Sequence, residues 1–160
     1  MTAIDTVPAG YTTVTPWLIT TDTAALLDFV TAAFDAVELA RILNEDGTIG
    51  HAEARIGDAV VMMFDARRPA PAFLRLYVAD GDLVFGRALA AGATPVTEMT
   101  LLAFGDRVGR VRDPLGNVWW IQQRVEELTF EEMAVRAQQP EFVEAMRYVQ
   151  SADLVGQTLR

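Results

Sequence analysis

The chain has 160 residues, a net charge of −9, 51% hydrophobic residues and no cysteine. That length can bury a core made of two small modules, the missing cysteine excludes disulfides, thiolate nucleophiles and cysteine-bound metals, and the acidic balance argues against nucleic acid, whose phosphates need a clustered basic surface. No basic and then apolar leader opens the chain and no apolar run reaches membrane-spanning length, so a cytoplasmic protein without a membrane partner is expected.

Residues 1–11 show no periodicity and read as a loose arm. Thr12 to Thr20 reads as a first strand, and Asp22 or Thr23 can cap a helix to about Phe34, with Leu26, Leu27, Phe29, Val30 and Phe34 as its apolar stripe. Asn44-Glu45-Asp46-Gly47 is hairpin chemistry between two strands. Arg67 to Pro71 connects to a second half, in which a strand near Phe73–Val78 precedes a helix from about Asp80 to Ala91. In Asp113-Pro114-Leu115-Gly116-Asn117, Pro114 fixes φ and Gly116-Asn117 can supply positive φ, so a tight turn leads into the β-branched and aromatic run Val118 to Ile121. Thr129-Phe130-Glu131-Glu132 is a capping-box sequence, and Pro140 suits the first turn of a last helix carrying Phe142, Val143, Met146, Tyr148 and Val149. This amphipathic tail is expected to pack on its own domain or across a dimer.

The two halves repeat one another. Ile56 to Met63 has the layout of Leu115 to Gln122, displaced by 59 residues, and Leu18 to Asp22 with its helix matches Leu76 to Asp80 with its helix, displaced by 58. Strand, helix and three strands in each half indicate a duplicated β-α-β-β-β module. Phe104-Gly105-Asp106-Arg107 followed by the Asp-Pro-x-Gly turn and its apolar strand resembles the glyoxalase/bleomycin-resistance/extradiol-dioxygenase (vicinal oxygen chelate) superfamily, in its PhnB-like branch. The resemblance covers about residues 12–124. It implies an α+β fold of two tandem modules, near 12–65 and 72–124, forming open-barrel cups. A glyoxalase-like domain over residues 1–124 would then carry a helical extension over 125–160. Family members often form homodimers, so a homodimer is expected here as well.

Strand alternation assigns the side chains. Ala52, Ala54 and Ile56 are expected against the helix, leaving His51, Glu53 and Arg55 for the cup. Leu74, Leu76 and Val78 likewise leave Phe73, Arg75 and Tyr77. The repeat offset sets Arg110 and Arg112 at the positions of His51 and Glu53, and Thr15, Trp17, Val61, Met63, Trp120 and Gln122 are also expected in the cup. Trp119 is expected to face the helix. Metal-using members of the superfamily take His, Glu or Gln ligands from the first and fourth strands of each module. Here those positions fall near Thr15, Val61, Phe73 and Trp120, which cannot hold a divalent ion, so no metal and no other cofactor is expected.

Three uses of the cup stay open. The favoured one is a metal-free binding protein for a small polar or aromatic molecule. Arg75, Arg110 and Arg112 would offer planar forks to an anionic group, and Trp17, Met63, Tyr77, Phe104, Trp120 and Gln122 would line the remainder. The second is an enzyme of the lyase or isomerase type in which His51 and Glu53 act as acid and base, or hold a metal with Glu98 or Asp106. The third is a non-catalytic interaction protein whose ligand site has decayed, with the acidic tail helices as its contact surface and His51 and Glu53 an ordinary polar pair.

Overall fold

A computed structural model describes residues 4–156. The chain divides into two compact units, 1–72 and 73–160. The first holds β1 (Trp17–Thr20), α1 (Thr23–Phe34), β2 (Val37–Leu43), β3 (Ile49–Ile56) and β4 (Ala59–Asp65). The second holds β5 (Phe73–Tyr77), α2 (Gly81–Ala90), β6 (Thr94–Leu101), β7 (Asp106–Arg112) and β8 (Val118–Arg124), then α3 (Phe130–Arg136) and α4 (Pro140–Gln150). The sheets run β1-β4-β3-β2 and β5-β8-β7-β6, each with one parallel pair, β1 with β4 and β5 with β8. These are the two expected β-α-β-β-β modules. No helix of the described residues is long and apolar enough to cross a membrane.

Both modules start their helix by the same device. Asp22 caps α1 by accepting from the amide of Ala25, and Asp80 caps α2 by accepting from the amide of Leu83. Side chains at the ends of β4 and β8 tie the helix starts down. Asp65 accepts from the amides of Thr23 and Ile49, both at 2.7 Å, and Gln123 accepts from the amide of Gly81 at 2.9 Å. Each sheet then buries one face under its helix. Leu18, Ala52, Ala54, Val61 and Met63 lie on the α1 side with Leu26, Leu27 and Val30. Val111, Trp119 and Ile121 lie on the α2 side, where Gly109 leaves room for Phe85: a Cβ there would come within 3.0 Å of that ring.

The Asp-Pro-Leu-Gly-Asn turn is built around Asp113, which is 3% exposed. Its carboxyl oxygens accept from the amides of Leu115 (2.9 Å) and Asn117 (3.0 Å), from the side-chain nitrogen of Asn117 (2.8 Å) and from the Trp119 indole (2.8 Å). Gly116 has φ of 96°, a left-handed conformation that favours glycine. In the first module the matching turn is shorter, with Gly57 at φ 60°. The second hairpin is one residue longer: Glu53 pairs with Met62, whereas Arg110 pairs with Trp120.

That difference corrects the expected offset. Arg110 occupies the position of Glu53, not of His51, and Arg112 that of Arg55. A second correction concerns β4. Met63 pairs with Ala52 and Val61 with Ala54, so both point toward α1, and Met63 is only 1% exposed. Met62 is the residue that shares the other face with Glu53 and Trp17. The first strand is also shorter than 12–20, beginning at Trp17. Of the segment expected as a loose arm, residues 4–10 are exposed without helix or strand and Tyr11 is tied to Glu53, while residues 1–3 lie outside the described residues.

Candidate functional site

Reading across the first sheet on the face away from α1, the register aligns Trp17, Met62, Glu53 and Ala40. Trp17 is 58% exposed and lies edge-on to Phe64, with ring centroids 5.4 Å apart. Its indole nitrogen is 3.2 Å from the Met62 sulfur. Next to this row a cleft of about 440 Å³ is lined by Val7, Pro8, Tyr11, Thr15, Glu53 and Met62, among others. The cleft thus gathers aromatic, thioether and hydroxyl groups around a single carboxylate.

Glu53 is fixed at both oxygens. The Tyr11 hydroxyl donates to Oε2, and His51 Nε2 lies 2.9 Å from Oε1. Hydrogen bonds from Tyr11 first and His51 second hold the Glu53 pKa below the ordinary glutamate value, against the smaller effect of burial. The same bond raises the Tyr11 pKa, because the phenolate would lose its acceptor and face a carboxylate. The arrangement thus keeps Glu53 ionised and makes it a weaker proton acceptor. It favours holding a donor or cation over abstracting a proton.

On the second sheet the corresponding row is Arg75, Trp120, Arg110 and Thr97. The Arg75 and Arg110 guanidinium carbons stand 4.4 Å and 3.8 Å from the Trp120 ring centroid. Arg75 is exposed, Trp120 half-buried and Arg110 only 5% exposed. Burial first, and Arg75 second, lower the Arg110 pKa. The end of α4 covers this face. Arg110 Nη1 donates to the Val149 carbonyl at 2.7 Å, and Arg112 Nη2 donates to the carbonyls of Asp153 (2.9 Å) and Leu154 (3.3 Å). Leu102, Val108 and Val149 form an apolar cluster with Phe104, Trp120, Ala145 and Met146. The expected ligand arginines Arg110 and Arg112 therefore bond to their own chain.

The remaining expected residues fall as follows. Tyr77 and Phe73 are exposed on β5, on the same face as Arg75. Gln122 shares that face, where it is buried and donates to Asp106. Asp106 also takes a 3.2 Å bond from Arg124, and Arg107 pairs with Asp82 at 2.7 Å, so the Phe-Gly-Asp-Arg segment is secured by hydrogen bonds. Trp119 faces α2 as expected.

A divalent metal, the norm implied by the fold family, does not fit these faces. On these faces the first and fourth strands present Trp17, Met62 and Phe64 in one unit and Phe73, Arg75, Tyr77, Trp120 and Gln122 in the other, and Gln122 is buried and tied to Asp106. An indole, a thioether and a guanidinium are not donors for such an ion. Among the described residues no three of His, Cys, Asp and Glu are grouped to hold one. Asp106, considered as a third ligand, is buried and committed to Gln122 and Arg124.

Sequence reasoning missed Tyr11, Met62 and Thr97. Met62 was recoverable from the alternation of β3 once the hairpin pairing was known. Tyr11 had no local signal, because its role comes from a contact 42 positions away.

Comparison with known proteins bears on the whole arrangement. Uncharacterised proteins of Mycobacterium bovis and of Mycobacterium tuberculosis strain H37Rv are each 39% identical over 145 residues, which covers 82% of this chain and 93% and 83% of theirs. TioX from Micromonospora sp. ML1 is similar in structure, with a TM-score of 0.62 and 27% identity over 71% of this chain and 99% of that one. The PhnB protein from Bacillus cereus shares the fold, with a TM-score of 0.55 and 18% identity over 72% of this chain and 100% of that one. The family model for the Glyoxalase/Bleomycin resistance protein/Dioxygenase superfamily matches residues 10–121, which span both modules and the turn at Asp113. With two β-α-β-β-β modules in place over that same stretch, the chain belongs to this superfamily.

Proposed function

We propose that the protein binds a small molecule, without a metal ion, in the cleft beside Trp17, Met62 and Glu53. The observation that carries this is the doubly hydrogen-bonded Glu53 at the cleft wall. A carboxylate held ionised next to an exposed indole and a thioether suits a guest with an aromatic or apolar body and an amine or other donor. This differs from the anionic guest that three arginines suggest, because those arginines lie on the second sheet and none lines this cleft. The test is a panel of aromatic amines and aromatic carboxylic acids, titrated by calorimetry and by Trp17 fluorescence. In this cleft amines are expected to bind in preference to acids. Glu53→Gln is expected to weaken them by about 10- to 100-fold, the scale of a lost charge-assisted hydrogen bond. Acids that displace a bound amine from this cleft with equal affinity, or amine binding indifferent to Glu53→Gln, refute the reading, as does one tightly bound divalent ion per chain in elemental analysis.

A second reading keeps the same cleft but adds chemistry. The contact between His51 and Glu53, with Tyr11 on the other oxygen, is the geometry of an acid–base group. It predicts that His51→Ala abolishes turnover while leaving affinity largely intact. The depressed Glu53 pKa is the reason the binding reading is preferred. A homodimer is part of the proposal: β2 is an outer strand with Val37, Ile42 and Leu43 exposed, an apolar edge of the kind that association covers. Light scattering of the purified chain tests this.

A further inference from the structure

We propose that the α4 side of the second sheet is a binding site for an aromatic carboxylate, kept plugged by the chain's own C-terminal segment. The row Arg75–Trp120–Arg110–Thr97 offers a flat ring between two planar cations. Among the described residues no carboxylate lies within ion-pair distance of Arg75 or Arg110. A buried cation without a counter-charge is costly. Three polar atoms in the same row, Thr97 Oγ1, Arg110 Nε and Trp120 Nε1, are also buried without a hydrogen-bond partner. Thr97 is 2% exposed, so bulk water does not satisfy it.

What now meets the arginines is a set of carbonyl oxygens. Val149 lies in the last turn of α4, where carbonyls have no helical partner and carry the negative end of the helix dipole. With the carbonyls of Asp153 and Leu154 it stands in for the oxygens of an anion. The stand-in is imperfect, since neutral carbonyls leave Arg110 Nε unanswered. The plug is also lightly attached. α3 buries no residue and α4 buries only Val149, assisted by half-buried Ala145 and Met146 and by the Tyr148 hydroxyl, which accepts from the Glu98 amide at 2.8 Å. A segment held by so few groups belongs to the low-stability end of a structure and can be displaced by a better partner. Arg75, exposed at the open end of the row, gives the anion its first contact.

The proposal uses none of the first-module residues, so it can fail or succeed apart from the cleft at Glu53. The probe is benzoate, with neutral benzamide as control, and the protein is the full chain. Benzoate, but not benzamide, is expected to speed hydrogen exchange of the α4 amides at 140–150 and to change Trp120 fluorescence. The double variant Met146→Ser with Tyr148→Phe loosens the plug without touching the arginines. Because plug and guest compete, it is expected to tighten benzoate by about tenfold. Arg110→Gln is expected to abolish binding. Should that variant fold poorly, Arg75→Gln is expected to weaken binding by about tenfold while leaving the Arg110 bond to Val149 intact. If benzoate leaves α4 exchange unchanged, or if loosening the plug leaves affinity where it was, the arginines serve only to fasten α4 and the proposal is wrong.

Discussion

Replacing Asp113 by alanine removes the acceptor of four hydrogen bonds at once. Two come from the turn amides of Leu115 and Asn117, one from the Asn117 side chain and one from the Trp119 indole, all between 2.8 and 3.0 Å. Asn117 and Trp119 are themselves buried, so water does not simply replace the lost acceptor. Removing the acceptor of a buried donor costs about 1–3 kcal/mol, and bonds sharing one acceptor are not additive, so the total is about 3–5 kcal/mol. For a chain of this size each kcal/mol lowers the melting temperature by about 2–4 °C, which gives a fall of roughly 6–20 °C. Asp113→Asn keeps one oxygen and is expected to lose about half as much. Urea and thermal unfolding followed by circular dichroism read both variants. A loss below about 1 kcal/mol for Asp113→Ala would mean that Pro114 and Gly116 alone hold the turn and that the four bonds to Asp113 add nothing to stability.

Two further outcomes follow from the register and the charge of the first module. Met63→Ala is expected to cost about 2–5 kcal/mol as a buried truncation, while Met62→Ala costs less than about 1 kcal/mol but alters binding in the cleft; the opposite order in urea unfolding would overturn the β3–β4 pairing. The depressed Glu53 pKa means that the unfolded chain binds this proton first as pH falls. Its stabilisation is therefore present above the ordinary glutamate pKa and lost as pH drops through the folded value, so wild type should destabilise more steeply than Glu53→Gln on acidification, and parallel unfolding curves for the two would remove that role from Tyr11 and His51.

The parts of the molecule legible in the sequence were those governed by local chemistry. Asp22, Asp80 and Thr129 each mark a helix start because a short oxygen-bearing side chain can reach an amide two or three residues on, and all three do so. Gly57 and Gly116 mark the two turns through their positive φ. Faces were legible where a strand alternates small or apolar with polar residues, as Ala52 and Ala54 do around Glu53. They were not legible in Val60-Val61-Met62-Met63, where every residue is apolar and only the pairing with β3 decides which way each points. The one-residue difference in hairpin length was hidden by aligning the glycines, which shifted the arginines by two positions. The contacts of Tyr11 with Glu53 and of Val149 with Arg110 join residues 42 and 39 apart in sequence, and no periodicity carries such information.

The same strand position holds Glu53 in one module and Arg110 in the other, with Met62 and Trp120 beside them. Were each module a separate chain in a two-fold dimer, symmetry would force one residue type to serve both positions, and a change that suited one would be imposed on its mate. Tandem fusion lifts that constraint. Each half can drift toward its own chemistry while the shared caps and turns keep the scaffold unchanged. Swapping the pair, with Glu53→Arg and Arg110→Glu in one chain, would ask whether the two halves are still interchangeable or have each become dependent on the sign of their own charge.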